Sequence, residues 1–200
     1  SITFDDGPNI GATLAIRDIL DAHGVKGTFF EVGKAVDRRP DIGRALFADG
    51  HLIGNHSYHH DSGRWLDPRY LELMAAQRSI AAAIGACPAF FRAPHGQHTP
   101  FMAHVVHAHG LVMAGWDVSA GDWVSQDPAA LARKVLARVR PGSIIDLHDG
   151  LDGNVLADRT VLVRALPLIL DGLEARHLRA VRLDVLLSKP AYLAGCRLAR

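Results

Sequence analysis

The sequence predicts an α/β fold: about seven βα units whose mostly parallel sheet closes like a barrel. Three observations predict it. Short apolar, β-rich runs alternate with helical stretches along the whole 200-residue chain, the pattern of a parallel sheet covered by helices. No composition shift or low-complexity linker divides the chain, and its length suits one full-sized core rather than two. No GxGxxG or P-loop follows a strand, so the usual mark of an open nucleotide-binding sheet is missing.

Ser1 to Phe4 reads as the end of a first strand. Ala12 to His23 reads as a helix with Leu14, Ala15, Ile19 and Leu20 on one face and Gly24 as its stop. Thr28 to Val32 is a β-rich strand, Pro40 opens a helix that Gly50 ends, and His51 to Gly54 is a short strand. Asp67-Pro68, Thr99-Pro100 and Asp127-Pro128 each pair a capping side chain with proline at the first helical position. They start helices that run to Gly85, to Gly110 and beyond Pro128. Between them lie strands at Ala89 to Arg92 and Leu111 to Trp116. Ser143 to Leu147 is a sixth strand, Asp158 to Arg176 a long helix, and Leu178 to Val181 a last strand.

Composition narrows the function classes. Lys and Arg total 22 against 21 acids, a net charge of +1, without the basic excess of a nucleic-acid binder. No apolar run reaches the roughly 18 residues of a membrane span. Two cysteines, Cys87 and Cys196, make no disulfide framework and read as free thiols. The chain opens on Ser1 with Asp5-Asp6 almost at once, which implies a trimmed or processed form. Histidine stands out: 12 in all, nine of them between His51 and His109.

The unusual polar residues fall into five clusters, each at the carboxyl end of a predicted strand: Asp5-Asp6, His56 to His60, Arg92 to Gly96, Asp117 to Trp123, and His148-Asp149. In βα barrels the loops of that rim converge on the active site. His56 and His60 are four apart and on a helical turn share a face, so they can grip one metal ion; Asp6 can add an oxygen. Taken alone, the His56–His60 run is as good a polar surface loop as a metal grip. Asp5-Asp6 and His148 at the same rim decide for the metal, with His59 pointing away. Adjacent Asp5 and Asp6 face opposite ways in a strand, and Gly7-Pro8 fixes a tight turn just after them. Arg92 alone also reads as a surface ion-pair partner. Trp116 reads as core or pocket wall, Trp65 equally as a sugar platform or a packing residue, and His98, His104, His107 and His109 as non-ligands.

In order, Thr3-Phe4-Asp5-Asp6-Gly7, His56-Ser57-Tyr58-His59-His60, Arg92-Ala93-Pro94-His95-Gly96, Asp117 to Trp123 and Leu147-His148 resemble the motifs of the polysaccharide deacetylases, the NodB-homology domain of carbohydrate esterase family 4. Gly27 to Phe30 and Gly54 to Ser57 are similar to the same family, and the resemblance spans essentially the whole chain. It implies a distorted (β/α)7 barrel, one catalytic domain over residues 1–200, and a metal-dependent hydrolase that removes acetyl groups from a carbohydrate. The implied substrates are chitooligosaccharide, peptidoglycan or acetylxylan. By position, Asp6, His56 and His60 match the metal triad, Asp5 the base, His148 the acid, Arg92 the partner of the base and Asp122 the partner of the acid. His95, Trp123, Leu147 and Asp146 match the substrate and oxyanion surroundings. One divalent ion is implied, zinc first, with cobalt or manganese as substitutes. The implied partner is an acetylated oligo- or polysaccharide, acted on by a monomer secreted or held in the cell envelope. Other readings of the same residues are an amidase acting on a non-sugar amide and a non-catalytic sugar-binding domain. A non-haem iron oxygenase also uses two histidines and a carboxylate, but it has no use for the Asp5 and His148 pair.

Three positions depart from the family pattern. His95 stands where tyrosine is frequent, Ser119 where aspartate is frequent, and Asp146 where an apolar residue usually lies beside the acetyl methyl. Strand alternation counted from His148 puts Asp146 on the site face and Ile145 and Leu147 on the other.

Overall fold

The computed structural model describes residues 1–196, apart from the side chains of Ser62 and Trp65. Seven strands form one parallel sheet: β1 (Ile2–Asp5), β2 (Thr28–Glu31), β3 (Leu52–Asn55), β4 (Phe90–Phe91), β5 (Val112–Met113), β6 (Val118–Ser119) and β7 (Ile145–His148). Their order is β5-β4-β3-β2-β1-β7-β6. The two edge strands are therefore consecutive in the chain. Five residues from Met113 to Val118 reach at most about 18 Å, whereas six strand spacings across a flat sheet would need about 29 Å. The sheet must curl until its edges approach, and the result is a distorted, incompletely hydrogen-bonded barrel.

The helices α1 (Thr13–Ala22), α2 (Gly33–Arg38), α3 (Pro40–Ala48), α4 (Leu71–Ile84), α5 (Pro100–Ala108), α6 (Pro128–Leu136), α7 (Thr160–Glu174) and α8 (Leu183–Leu187) complete the fold. The main core lies between the sheet and the helices, where Ile2, Phe4 and Phe29 meet Ile16, Leu166 and Ile169. No helix among the described residues is long and apolar enough to cross a membrane.

Two of the three predicted proline caps form: Thr99 Oγ1 accepts from Met102 N at 3.1 Å and Asp127 Oδ1 from Ala130 N at 2.8 Å. The third does not. Asp67 Oδ1 accepts from Arg69 N instead, and Tyr70 turns left-handed with φ +40°, so α4 starts at Leu71. In α1 the buried stripe is Thr13, Ile16 and Leu20, with Leu14, Ala15 and Ile19 only half-buried. Helix α2 was not expected; it is six residues long and opens on Gly33, where a Cβ would stand 2.9 Å from the Ala76 backbone of α4.

Leu178 to Val181 forms no strand. The strand that brings the sheet to seven is instead β6, whose two residues pair with Ile145 and Asp146 of β7. The cysteines are not free: Cys87 and Cys196 form a disulfide with their Cα atoms 5.5 Å apart. The last segment folds back along the barrel. Leu193 N donates to Cys87 O at 2.9 Å, Ala89 N to Ala191 O at 3.3 Å, and Ile53 N to the Tyr192 hydroxyl at 3.1 Å.

Candidate active site

Because all seven strands run parallel, their carboxyl ends share one rim. Asp5 lies directly across from His148 in the β1–β7 register, and Thr3 across from Asp146. A cavity of about 350 Å³ opens there, lined by Asp5, Asp6, His56, His60, His95, Trp116, Trp123, Asp146, His148, Leu151 and Asp152.

Adjacent aspartates serve one cavity because the chain reverses hand between them: Asp6 is left-handed, φ +76°. Gly150 makes room for this turn, since a Cβ there would collide with the Asp6 carbonyl. Asp6 Oδ1 lies 2.9 Å from His60 Nε2 and 3.3 Å from His56 Nε2. His56 and His60 are not on a helical turn, as their spacing suggested. They flank a loop with left-handed Ser57 and His60, pinned where Asn55 Oδ1 accepts from Ser57 N and Ser57 Oγ from His60 N. His59 points away and meets Glu72.

His56 Nδ1 lies 2.9 Å from the Arg92 carbonyl. A carbonyl only accepts, so Nδ1 carries the proton and Nε2 presents a lone pair to Asp6. His60 Nδ1 lies 2.9 Å from Asp152 Oδ1 without hydrogen-bond geometry, and the nearby carboxylate favours the ring proton on that nitrogen. Two imidazole lone pairs thus converge with Asp6 Oδ1, which is buried and accepts no hydrogen bond of good geometry. Three electron-rich atoms facing one another, with no donor between them, fit a cation. Burial raises the Asp6 pKa, but without a metal, ring protons on the two facing imidazoles take the cation's place and hold it well below the usual carboxylate range.

Arg92 follows β4 and crosses the barrel interior, completely buried. Its Nη1 donates to Asp5 Oδ1 and Thr3 Oγ1, both at 2.7 Å, and lies 3.3 Å from Asp146 Oδ1. Nη2 and Nε reach the carbonyls of Gly115 and Ala114, and the guanidinium lies over the Phe30 ring at 4.2 Å. This fork joins β1 and β7 to the segment that follows β5, which a lysine cannot do.

On the far side His148 Nδ1 meets Asp122 Oδ1 at 2.9 Å and His148 N donates to Asp122 Oδ2 at 2.9 Å. Burial would lower the His148 pKa, but Asp122 outweighs it and raises it to about 10. Sequence reasoning missed Arg159. Its Nη2 donates to Asp122 Oδ2 at 2.5 Å and to Asp122 O at 3.0 Å, and its Nε donates to His148 O at 2.9 Å. Asp152 was missed too: its backbone N donates to Asp6 Oδ2 at 2.9 Å.

The remaining expected residues divide. His95 (φ +54°) lies by His60, ring centroids 4.7 Å apart, and its N–H has no acceptor among the described residues. Trp123 is half-exposed, its ring 5.0 Å from that of His148. Asp146 lines the cavity, as alternation from His148 implies, and burial together with the nearby Asp5 carboxylate pushes its pKa up. Leu147 does not reach the site: it is completely buried, and it packs with Ile145 in the main core. Asp117 braces the start of β7 by accepting from Ile144 N and the Ser143 hydroxyl. His98, His104, His107 and His109 are exposed and outside the cavity. The Trp65 side chain falls outside the described residues.

Comparison with known proteins gives the family. The chain is 34% identical over 184 residues to a chitooligosaccharide deacetylase of Azorhizobium caulinodans, covering 88% of each. It superposes on the Bc1960 peptidoglycan N-acetylglucosamine deacetylase with a TM-score of 0.87 at 27% identity, over 96% of this chain and 88% of that one. On a family 4 acetyl xylan esterase from Clostridium thermocellum, solved with a cobalt ion, the TM-score is 0.85 at 32% identity, over 96% and 93%. A family model described as polysaccharide deacetylase matches residues 1–114, and with the relatives above it shows that this chain belongs to the polysaccharide deacetylase family.

Proposed function

We propose that the chain is a metal-dependent hydrolase that removes acetyl groups from N-acetylglucosamine-containing oligo- or polysaccharides, with residues 1–200 as one catalytic domain. One observation carries the reading: a cation-ready triad, an arginine-held carboxylate and an aspartate-held histidine face one another across a single cavity. A non-catalytic sugar binder has no need of the last two. Relatives named for chitooligosaccharide and peptidoglycan substrates support the substrate class. The disulfide supports an oxidising, extracytoplasmic location.

Asp6, His56 and His60 would hold one divalent ion, which supplies Lewis-acid polarisation of the acyl carbonyl and of the attacking water. Two histidines and one carboxylate with open positions suit zinc, with cobalt or manganese as substitutes. Asp5, held in place by Arg92, takes a proton from the attacking water. The His95 N–H faces the oxyanion of the tetrahedral intermediate. His148, kept protonated by Asp122, gives its proton to the departing sugar nitrogen as the C–N bond breaks. Arg159 fixes Asp122 in place, and Trp123 offers its half-exposed ring to the sugar. The test is acetate release from chitotetraose, peptidoglycan and acetylxylan by the metal-loaded chain. Release from chitotetraose that Asp5→Asn abolishes is the expected result; no release from any of the three refutes the reading.

A further inference from the structure

The floor of the cavity does not suit an acetyl methyl. Asp146 and His148 lie two residues apart on one face of β7, so Asp146 sits one pleat, about 7 Å along the strand, deeper than the histidine. One of its carboxylate oxygens, an Asp5 oxygen and a His148 nitrogen lie within 4.8 Å of one another. An acyl carbon held between the base and the acid would have Asp146 beneath it. With water approaching from the Asp5 side and the sugar nitrogen leaving toward His148, the substituent of that carbon would point to the floor.

Asp146 is 1% exposed. It is not needed to neutralise Arg92, whose Nη1 lies closer to Asp5 at 2.7 Å than to Asp146 Oδ1 at 3.3 Å. Its second oxygen accepts no hydrogen bond from the described residues, although the side chain lines the cavity. That oxygen is not among the fully buried orphaned atoms; it faces the cavity, and its donor comes from whatever fills the cavity. An acetyl methyl brings none. A hydroxyl on the same carbon brings one at the depth where Asp146 waits.

Resting on the hydrolase reading above, we propose that Asp146 makes the site selective for N-acyl groups carrying a hydrogen-bond donor on the α-carbon, the hydroxyacetyl (glycolyl) group, over acetyl. The reaction is unchanged in kind. Water adds to the amide carbon, the C–N bond breaks, and the products are the free amino sugar and glycolate; Asp146 forms no covalent bond and only accepts from the glycolyl hydroxyl.

The experiment compares two chitotetraoses, one N-acetylated and one N-glycolylated, hydrolysed by the metal-loaded full chain, with kcat/KM measured for each. A hydrogen bond made by the glycolyl hydroxyl alone predicts a glycolyl preference of about threefold to tenfold in the wild type. Asp146→Leu is expected to raise kcat/KM on the acetyl substrate a few-fold and to lower it on the glycolyl substrate, which reverses the ratio. Asp146→Asn keeps one acceptor oxygen at unchanged volume and is expected to fall between them; it decides the matter if the leucine variant does not fold. Inhibition by free glycolate relative to free acetate should weaken in the same order, a readout that needs no turnover of either amide. A wild-type ratio at or below one, or a ratio that neither variant changes, overturns the proposal. Turnover of the acetyl substrate alone overturns the selectivity and leaves the deacetylase reading standing, whereas turnover of neither overturns both.

Discussion

Replacing Asp122 with asparagine tests the acid arm of the site where the expected change is largest. The wild-type His148 pKa of about 10 keeps the imidazole about 99% protonated at pH 8. Asp122 accepts from His148 Nδ1, His148 N and Arg159 Nη2; an amide in its place removes the charge and turns one of its two acceptor atoms into a donor. His148 then falls toward its ordinary value near 6.5, with burial pushing it lower and Asp146 and Asp5 still pushing it up. At pH 8 only about 3% would stay protonated, so kcat/KM should fall about 30-fold there while remaining within a few-fold of wild type near pH 5.5. The alkaline limb of the pH profile should move from about 10 to below 7. Stability should follow the same group. A raised histidine pKa contributes stability fully below about pH 6.5 and loses it as pH rises through about 10, so the wild-type Tm should drop across that window and the variant's should not. Rates of amine release from chitotetraose, taken every half pH unit with metal content measured in parallel, check this. An alkaline limb that stays put in Asp122→Asn, with the metal retained, would refute the assignment of His148 as the proton donor.

Elemental analysis should find close to one divalent ion per chain, falling below a tenth in His56→Ala with His60→Ala; full occupancy in that double variant would move the metal elsewhere. Asp5→Asn should keep the metal and lose about 10²- to 10⁴-fold in kcat, whereas loss of the metal would mean that Asp5 and Asp6 exchange roles. Cys87→Ser with Cys196→Ser opens a cross-link spanning 109 residues and should cost about 2–5 kcal/mol in urea unfolding; an unchanged midpoint would show that the last segment docks without it.

What could be read in the sequence was local. Thr99 and Asp127 act within three residues of themselves, and both cap as expected. Asp146 follows from His148 because alternation in one strand needs no knowledge of the rest. Asp67 offered the same cap signature as Thr99, but its side chain found Arg69 N first. Val118–Ser119 has too few residues to show a period and is a strand only because β7 lies beside it. Leu178 to Val181 has the composition of a strand, yet β6 holds the sheet edge it would need. Arg159 left one faint signal: a cation at the N-terminus of α7, where the helix dipole favours an anion. Such a local conflict marks a residue serving something outside its own helix, here Asp122.

The charge balance of the rim ties these pieces together. Glu31, Asp5, Asp6, Asp122, Asp146 and Asp149 are all at most 3% exposed, and the buried arginines among the described residues are Arg92 and Arg159. Six carboxylates against two guanidiniums is an arrangement that burial does not tolerate in ionised form. Part of the relief is protonation. Burial raises Asp149 to about 7, and burial with the Asp149 charge beside it raises Glu31, while His148 carries its own positive charge against Asp122. Burial and the Asp5 charge raise Asp146 to about 7 in the same way. Asp6 is the buried rim acid held well below its ordinary pKa, and Arg92 reaches Asp5 and Asp146 but not Asp6. A divalent cation at Asp6, His56 and His60 supplies two positive charges where the arginines do not reach, so the same ion that the chemistry needs also makes the buried acids tolerable. The fold therefore concentrates carboxylates at one rim, where a bound cation would take over from the imidazole protons in balancing Asp6.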